Sequence, residues 1–122
     1  MTANIMINNL PEQLARIFKV LGDTNRLGIV MAIGKGSHSV TEIINATGLS
    51  QTLVSFHLRV LRKAEVVTTR REGPFIYYSL SDPSLMDILD DLSKIINSGR
   101  SETQKYTATA PEKALARQGR EK

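Results

Sequence analysis

The sequence of 122 residues predicts a mainly α-helical domain that carries a small β-hairpin wing. Apolar residues recur at helical spacing in five segments, and most of these segments open on a residue that can cap a helix. Two short runs rich in Val, Thr, Ile and Tyr flank the turn sequence Glu72-Gly73-Pro74, which is typical of paired strands. We therefore expect four helices, two strands and a fifth helix, in that order.

The first helix is predicted to run from Asn9 to Gly22. Asn9 and Glu12 have the spacing of a capping box, Pro11 suits the first turn, and Gly22 can end the helix. Its apolar stripe consists of Leu10, Leu14, Ile17, Phe18 and Leu21.

The second helix is predicted to begin after the N-cap Asp23 and to reach about Ile33. Its inward-facing residues are expected to be Leu27, Val30 and Met31. A loop is predicted from Gly34 to Ser37, and His38 is expected in the same loop before the third helix.

A pair of helices separated by a tight turn follows. Ser39 and Glu42 form a capping-box pair that opens a short third helix, and this helix ends at Gly48. Ser50 is placed to cap a fourth helix that continues to about Ala64. Two helices joined by a glycine-containing turn form a helix-turn-helix.

Strands are predicted from Val66 to Arg71 and from Phe75 to Leu80. Ser81 is expected to cap a fifth helix, with Pro83 in its first turn, that reaches about Asn97. The hairpin after the helix-turn-helix makes the predicted architecture a winged helix-turn-helix.

Composition excludes several classes of site. The chain has no cysteine, which rules out disulfides, thiolate metal sites, cysteine nucleophiles and thiol redox switching. No apolar run is long enough to span a bilayer, and the N-terminus lacks the features of a secretory signal, so we expect a cytoplasmic protein. No nucleophile–base pair or carboxylate pair stands out, so we do not expect an enzyme.

The net charge of +4 favours a polyanionic partner, and the charge is unevenly distributed. Residues 50–75 hold five cations and two anions, whereas residues 82–91 hold four aspartates and no cation. We expect a flexible N-terminus over residues 1–8, one domain over 9–98, and a flexible basic tail over 99–122, where apolar content is low.

The fourth helix has two chemically different faces. At about 100° per residue, Val54, Leu58 and Leu61 fall together and should face the core, while small polar and basic residues lie opposite. Gln and Arg can pair with adenine and guanine edges, Ser and Thr can contact bases or phosphates, and an exposed Phe56 can contact a thymine methyl group. The predicted DNA-binding residues are Ser50, Gln51, Thr52, Ser55, Phe56, His57, Arg59, Arg62, Arg70, Arg71 and Gly73.

Other interpretations of these residues stay open. An amphipathic helix can simply have a solvated face, and the Arg70-Arg71 pair can be an ordinary charged surface. His57 lies at the flank of the core stripe, so a buried, hydrogen-bonded role is an alternative to DNA contact. The capped helix before this segment and the basic hairpin after it favour DNA binding.

The fifth helix has more apolar surface than a terminal helix needs, which favours a two-fold homodimer formed with the first helix. The predicted interface residues are Leu14, Ile17, Phe18, Leu85, Ile88, Leu89, Leu92, Ile95 and Ile96. A dimer would place two recognition helices in successive major grooves, about 34 Å apart.

Three stretches resemble the ArsR/SmtB family of bacterial winged-helix repressors: IFKVLGD (Ile17 to Asp23), followed by Arg26 and Leu27; GLSQTLVSFHLRVLRKAEVV (Gly48 to Val67); and RREGPFIYYSL (Arg70 to Leu80). The resemblance implies a homodimer that binds double-stranded operator DNA and represses nearby genes until an inducer weakens binding.

The chain also departs from that family's sensors. Where thiolate sensors carry a CVCDL-like motif, this chain has Ser39 to Ile43, without cysteine. Of the zinc-ligand positions on the fifth helix only Asp82 matches, and the others hold Ser84, Ile95 and Ser98. We therefore expect no metal site and no cofactor, and the sequence identifies no inducer. The alternative function is a winged-helix protein-interaction module in which DNA binding is secondary.

Overall fold

The computed structural model describes residues 9–99, which form five helices and three strands. The helices are α1 (Leu10–Leu21), α2 (Thr24–Ile33), α3 (Val40–Thr47), α4 (Gln51–Lys63) and α5 (Ser84–Gly99). The strands are β1 (Ser37–Ser39), β2 (Val67–Glu72) and β3 (Phe75–Leu80). The predicted mainly α winged helix-turn-helix fold is confirmed. The predicted flexible segment 1–8 and residues 100–122 of the predicted tail 99–122 lie outside the described residues. The predicted start of that tail is wrong by one residue, because Gly99 still belongs to α5. The chain divides into two units between Met86 and Asp87.

The wing contains one strand more than the predicted hairpin. The sheet is antiparallel in the order β1-β3-β2, with Ser37 opposite Ser79 and His38 opposite Tyr78. The predicted loop around His38 is therefore wrong from Ser37 onward. Three residues are too few to show the alternation that identifies a strand, and β1 forms because the free edge of β3 offers backbone partners.

Three of the predicted helix caps are confirmed. The side chain of Asp23 accepts a hydrogen bond from the backbone of α2, and Ser50 does the same for α4. At α3, both bonds of the capping box between Ser39 and Glu42 are present. These caps satisfy backbone donors that no residue within the helix can reach.

Two caps were predicted wrongly. Asn9 has a left-handed backbone with φ of 56° and makes no side-chain cap bond, so the expected box with Glu12 is absent. Ser81 does not cap α5, because the helix begins three residues later, at Ser84. The backbone N–H of Ser81 donates to the Val66 carbonyl at 2.9 Å. The Asp82 carboxylate instead accepts from the backbone N–H of Ser84, at 3.0 Å.

The buried apolar residues in the first unit come mainly from α2, α3, α4 and the inner ends of β2 and β3. The inward face of α2 differs from the prediction: Ile29, Val30 and Ile33 are buried, whereas Met31 is 59% exposed. α2 contacts α1, α3, α4 and β3, and it is apolar on most sides, so the sequence pattern did not define one inner face.

The apolar stripe of α1 is largely unburied. Of its predicted members only Leu21 is buried, while Leu14, Ile17 and Phe18 are exposed. An amphipathic helix that leaves these side chains in water has an apolar face still available for contact.

The end of α4 contains a strained residue. Glu65 has a left-handed backbone with φ of 63°, a conformation that favours glycine. Its N–H donates to the Arg62 carbonyl, and the N–H of Val66 donates to the Leu61 carbonyl, both at 2.9 Å. This pair of bonds is a Schellman motif with Glu65 at the position usually held by glycine.

We expect Glu65→Gly to raise the free energy of unfolding by about 1 kcal/mol, because glycine adopts the left-handed conformation without a Cβ clash. Urea denaturation of both proteins measures the change. Glu65→Ala is the control, since it removes the charge but keeps the Cβ atom. An equal gain from alanine would show that charge, not backbone strain, is the cause.

Candidate nucleic-acid interface

The helix-turn-helix is formed by α3, a three-residue turn and α4. Gly48 begins the turn with a left-handed φ of 76°, and its N–H donates to the Ile44 carbonyl at 2.8 Å. The hydroxyl of Ser50 then accepts from the backbone N–H of Leu53 at 3.1 Å. Both ends of the turn are thus fixed by hydrogen bonds, which sets the direction in which α4 starts.

The inner face of α4 is held by burial. Val54, Leu58 and Leu61 are essentially fully buried, as predicted, and His57 completes the row with only 6% of its surface exposed. These positions follow helical spacing and α4 contacts α2, α3 and β2, so the rotation of the helix about its axis is fixed.

The outer face of α4 carries most of the predicted DNA-binding side chains. Five of them are exposed and line one open depression of about 430 Å³: Gln51, Thr52, Ser55, Phe56 and Arg59. Arg62 and Lys63 are exposed in the last turn, and α4 contains no acidic residue. The outer face thus combines hydrogen-bonding groups, one aromatic ring and positive charge.

His57 lies on the opposite side, inside the domain. Nη1 of Arg26 lies 3.3 Å from Nδ1 of His57. A guanidinium can only donate, so Nδ1 accepts and the proton of the neutral ring is on Nε2. Nε2 lies 3.9 Å from the Asp23 carboxylate. The burial of His57 favours the structural interpretation over the predicted DNA contact.

Arg26 joins three elements through this contact. Its Nε donates to the Val20 carbonyl in α1 at 2.6 Å, and its backbone N–H donates to the Asp23 carboxylate at 3.0 Å. That backbone hydrogen bond, together with the nearby charge of Arg26, lowers the pKa of Asp23. We call Asp23, Arg26 and His57 the polar cluster.

The polar cluster was not predicted from the sequence. Asp23 was predicted as an N-cap and appears with Arg26 in the family resemblance, but neither was predicted to contact His57. The signal was available in principle, because a histidine at a core position of a helix needs polar partners. The sequence did not indicate which element supplies them.

The wing separates its two arginines. Successive side chains of a strand point to opposite faces, so Arg70 shares a face with Tyr77 and Arg71 shares the other with Ile76. Nε of Arg70 lies 3.2 Å from the Glu72 carboxylate, and its guanidinium lies 5.3 Å from the centre of the Tyr77 ring. Both arginines are exposed, and Gly73 turns the hairpin with φ of 62°.

The predicted dimer residues on α5 form an apolar row. Ile88, Leu92, Ile95 and Ile96 are exposed and Leu85 and Leu89 are half-buried. This row and the exposed residues of α1 are two large apolar surfaces, of a kind that marks contact sites in soluble proteins.

Within residues 9–99, no group of three or more His, Cys, Asp or Glu side chains is placed to hold a metal ion. The Asp82 carboxylate accepts hydrogen bonds from the hydroxyl and the backbone N–H of Ser84, which lower its pKa. His38 contacts Glu42 at 3.3 Å, and Asp90 pairs with Lys94 at the same distance. None of the helices in this part of the chain is long and apolar enough to cross a membrane.

Comparison with known proteins agrees with this geometry. The family model described as "Bacterial regulatory protein, arsR family" matches residues 23–69. The transcriptional repressor SdpR of Bacillus subtilis (strain 168) is 34% identical over 83 residues, which are 68% of this chain and 92% of SdpR.

Two solved structures have the same fold. The crystal structure of NolR from Sinorhizobium fredii is 37% identical, with a TM-score of 0.64 over 74% of this chain and 90% of NolR. The solution structure of Mb0332 from Mycobacterium bovis, described as a homodimeric winged helix-turn-helix DNA-binding domain, is 28% identical. Its TM-score is 0.65 over 75% of this chain and 88% of that fragment.

We expect Arg26→Met to lower the free energy of unfolding by about 1–3 kcal/mol, because it leaves Nδ1 of His57 and the Val20 carbonyl without their donor. Thermal and urea denaturation measure the loss. Arg16→Met is the matched control, since Arg16 is exposed on α1, and it should change stability by less than about 0.5 kcal/mol. Equal effects of the two substitutions would contradict a structural role for the polar cluster.

Proposed function

The chain belongs to the arsR family of bacterial regulatory proteins, and on that basis we propose that it is a homodimeric repressor that binds operator DNA through the outer face of α4. It is a DNA-binding transcriptional regulator with a winged helix-turn-helix fold. The observation that carries the proposal is the division of α4 into a buried inner face and a polar, basic outer face. As a regulator of this kind, it would act in the cytoplasm.

The chemistry of the outer face supports sequence-specific contact. Arg59 can donate two bonds to guanine and Gln51 can pair with adenine, while Thr52 and Ser55 can contact base edges or phosphates. The major groove is about 12 Å wide and admits one α-helix. The predicted contacts of Ser50 and Arg62 lie at the two ends of this face, where phosphates would be reached.

The wing would add contacts beside the helix. Arg71 has no acidic neighbour directly opposite it in the sheet, so its positive charge is available to a phosphate or the minor groove. Arg70 is held by Glu72 and Tyr77 and would stiffen the wing before DNA arrives.

A homodimer would explain the two exposed apolar surfaces on α1 and α5. Phe18 is 64% exposed and Ile95 is 68% exposed, and burying such side chains against a second copy would be favourable. The homodimeric state described for Mb0332 supports this assignment. Two recognition helices would then contact half-sites about 34 Å apart on a pseudo-palindromic operator.

We expect no thiolate-based or zinc-based induction through the sites named above. The chain has no cysteine, and the zinc-ligand positions of α5 include Ser84 and Ile95, whose side chains are poor zinc ligands. The chain would therefore respond to a different signal or repress constitutively.

The direct test is selection of bound sequences from a random DNA pool, followed by affinity measurements over a range of salt concentrations. We expect Arg59→Ala to weaken binding to the selected site by about 1–3 kcal/mol, because it removes a bidentate donor. Lys19→Ala removes the same charge from α1 and should have little effect. If affinity is insensitive to salt and to Arg59→Ala, the protein-interaction alternative replaces the repressor proposal.

The dimer is tested separately with charged substitutions of exposed apolar residues. We expect Phe18→Asp to produce monomers in sedimentation experiments, because a carboxylate would be buried in the proposed interface. Met31→Asp is the matched control, since Met31 is 59% exposed on α2 and lies outside that interface. A Phe18→Asp protein that remains dimeric would exclude α1 from the interface.

A further inference from the structure

We propose that the outer face of α4 recognises the C5-methyl group of a pyrimidine, with Phe56 as the contacting residue, close to a guanine bound by Arg59. This inference rests on the proposed function, because it requires α4 to enter the major groove. It goes further by naming the chemical group of the DNA that the chain selects.

The first observation is the position of Phe56. Its side chain is 48% exposed in the middle of a polar helix face, beside Thr52, Ser55 and Arg59 in the same depression. Folding of the domain buries the opposite side of α4, so the exposed part of this ring has no role in the core. The C5-methyl group is the apolar feature that a base presents in the major groove, and an aromatic side chain is a suitable contact for it.

The second observation is that the ring is held in place. The Phe56 ring lies edge-on to the His57 ring, with centroids 5.1 Å apart and planes at 72°. His57 is itself buried and contacts Arg26 at 3.3 Å. A ring with a fixed neighbour loses less side-chain freedom when it binds than a free one does.

The third observation is the spacing to Arg59. Side chains three positions apart on a helix are neighbours, with Cβ atoms about 5–6 Å apart. Stacked bases are 3.4 Å apart along each strand, so two such side chains reach bases within about two steps of each other. The methylated pyrimidine and the guanine should therefore lie within two base pairs.

Thymine and 5-methylcytosine both carry this methyl group, and they present it at the same place in the groove. Phe56 contacts the methyl group and no hydrogen-bonding group, so the contact itself accepts either base. Thymine pairs with adenine and 5-methylcytosine pairs with guanine, so contacts to the paired purine, not to the methyl group, would distinguish the two.

The experiment uses the full chain and an operator obtained from the random pool. In the first arm, each thymine of the half-sites is replaced in turn by deoxyuridine, which removes the methyl group alone. At one such position the replacement should weaken wild-type binding about fourfold. Burial of one carbon group contributes ~0.8 kcal/mol, and 1.4 kcal/mol corresponds to a tenfold change in affinity. In Phe56→Ala the same replacement should change affinity by less than about 1.5-fold, because the contact is already lost.

The second arm methylates cytosines of the half-sites at C5. An increase in wild-type affinity that disappears in Phe56→Ala identifies 5-methylcytosine as a ligand of the same contact. A response in the deoxyuridine arm alone that disappears in Phe56→Ala identifies thymine as the ligand. A response in either arm supports the proposal only if it depends on Phe56 in this way.

Ser55→Ala is the matched control, because Ser55 lies on the same face without a ring and this variant should keep the wild-type response to methyl removal. If wild type and Phe56→Ala respond equally to every methyl change, the inference is overturned while DNA binding stands. If wild type selects no DNA with salt-dependent affinity, the proposed function itself has failed. Circular dichroism checks that each variant is folded, which is expected because both side chains are exposed.

Discussion

The position of the recognition helix α4 against the rest of the domain depends on the guanidinium of Arg26. Through Nε it binds the Val20 carbonyl in α1, and through Nη1 it binds the His57 ring on the inner face of α4. A buried imidazole without such a donor would carry the cost of an unsatisfied polar group, so the contact stabilises the burial of that face of α4. The apolar residues around it then fix how far α4 is rotated, and this rotation selects the residues left outside.

Hydrogen bonds at its two ends fix the length of α4, and packing fixes its rotation. The turn at Gly48 and the Ser50 cap define where the helix begins, while the Schellman motif at Glu65 defines where it ends. Between them, packing sets the rotation. The outer residues contribute little to this scaffold, which leaves their chemistry free to vary with the DNA sequence that must be recognised.

Local features of the fold were the most predictable from sequence. The pairing of Ser39 with Glu42 spans three residues, and the confirmed caps at Asp23 and Ser50 are equally local. Contacts between distant residues were not predictable: β1 exists because of strand β3, about 40 residues later, and Arg26 meets a histidine 31 positions away. The prediction of the inward face of α2 was wrong for a different reason, since a helix that is apolar on most sides has no single inner face to detect. At the candidate site, helical spacing identified the exposed row of α4, but it did not show that His57 has partners inside.

Ser39 belongs to two elements at once. Its backbone lies opposite Tyr77 in the sheet, and its side chain caps the first turn of α3. Strand β1, which pairs with the central strand β3 of the wing, and the first helix of the helix-turn-helix are therefore joined without an intervening linker. Since α4 also contacts β2, the wing and the recognition helix are already ordered relative to each other in the free protein. Binding to a duplex would then require little further ordering of the backbone, and the loss of conformational entropy on association would be small.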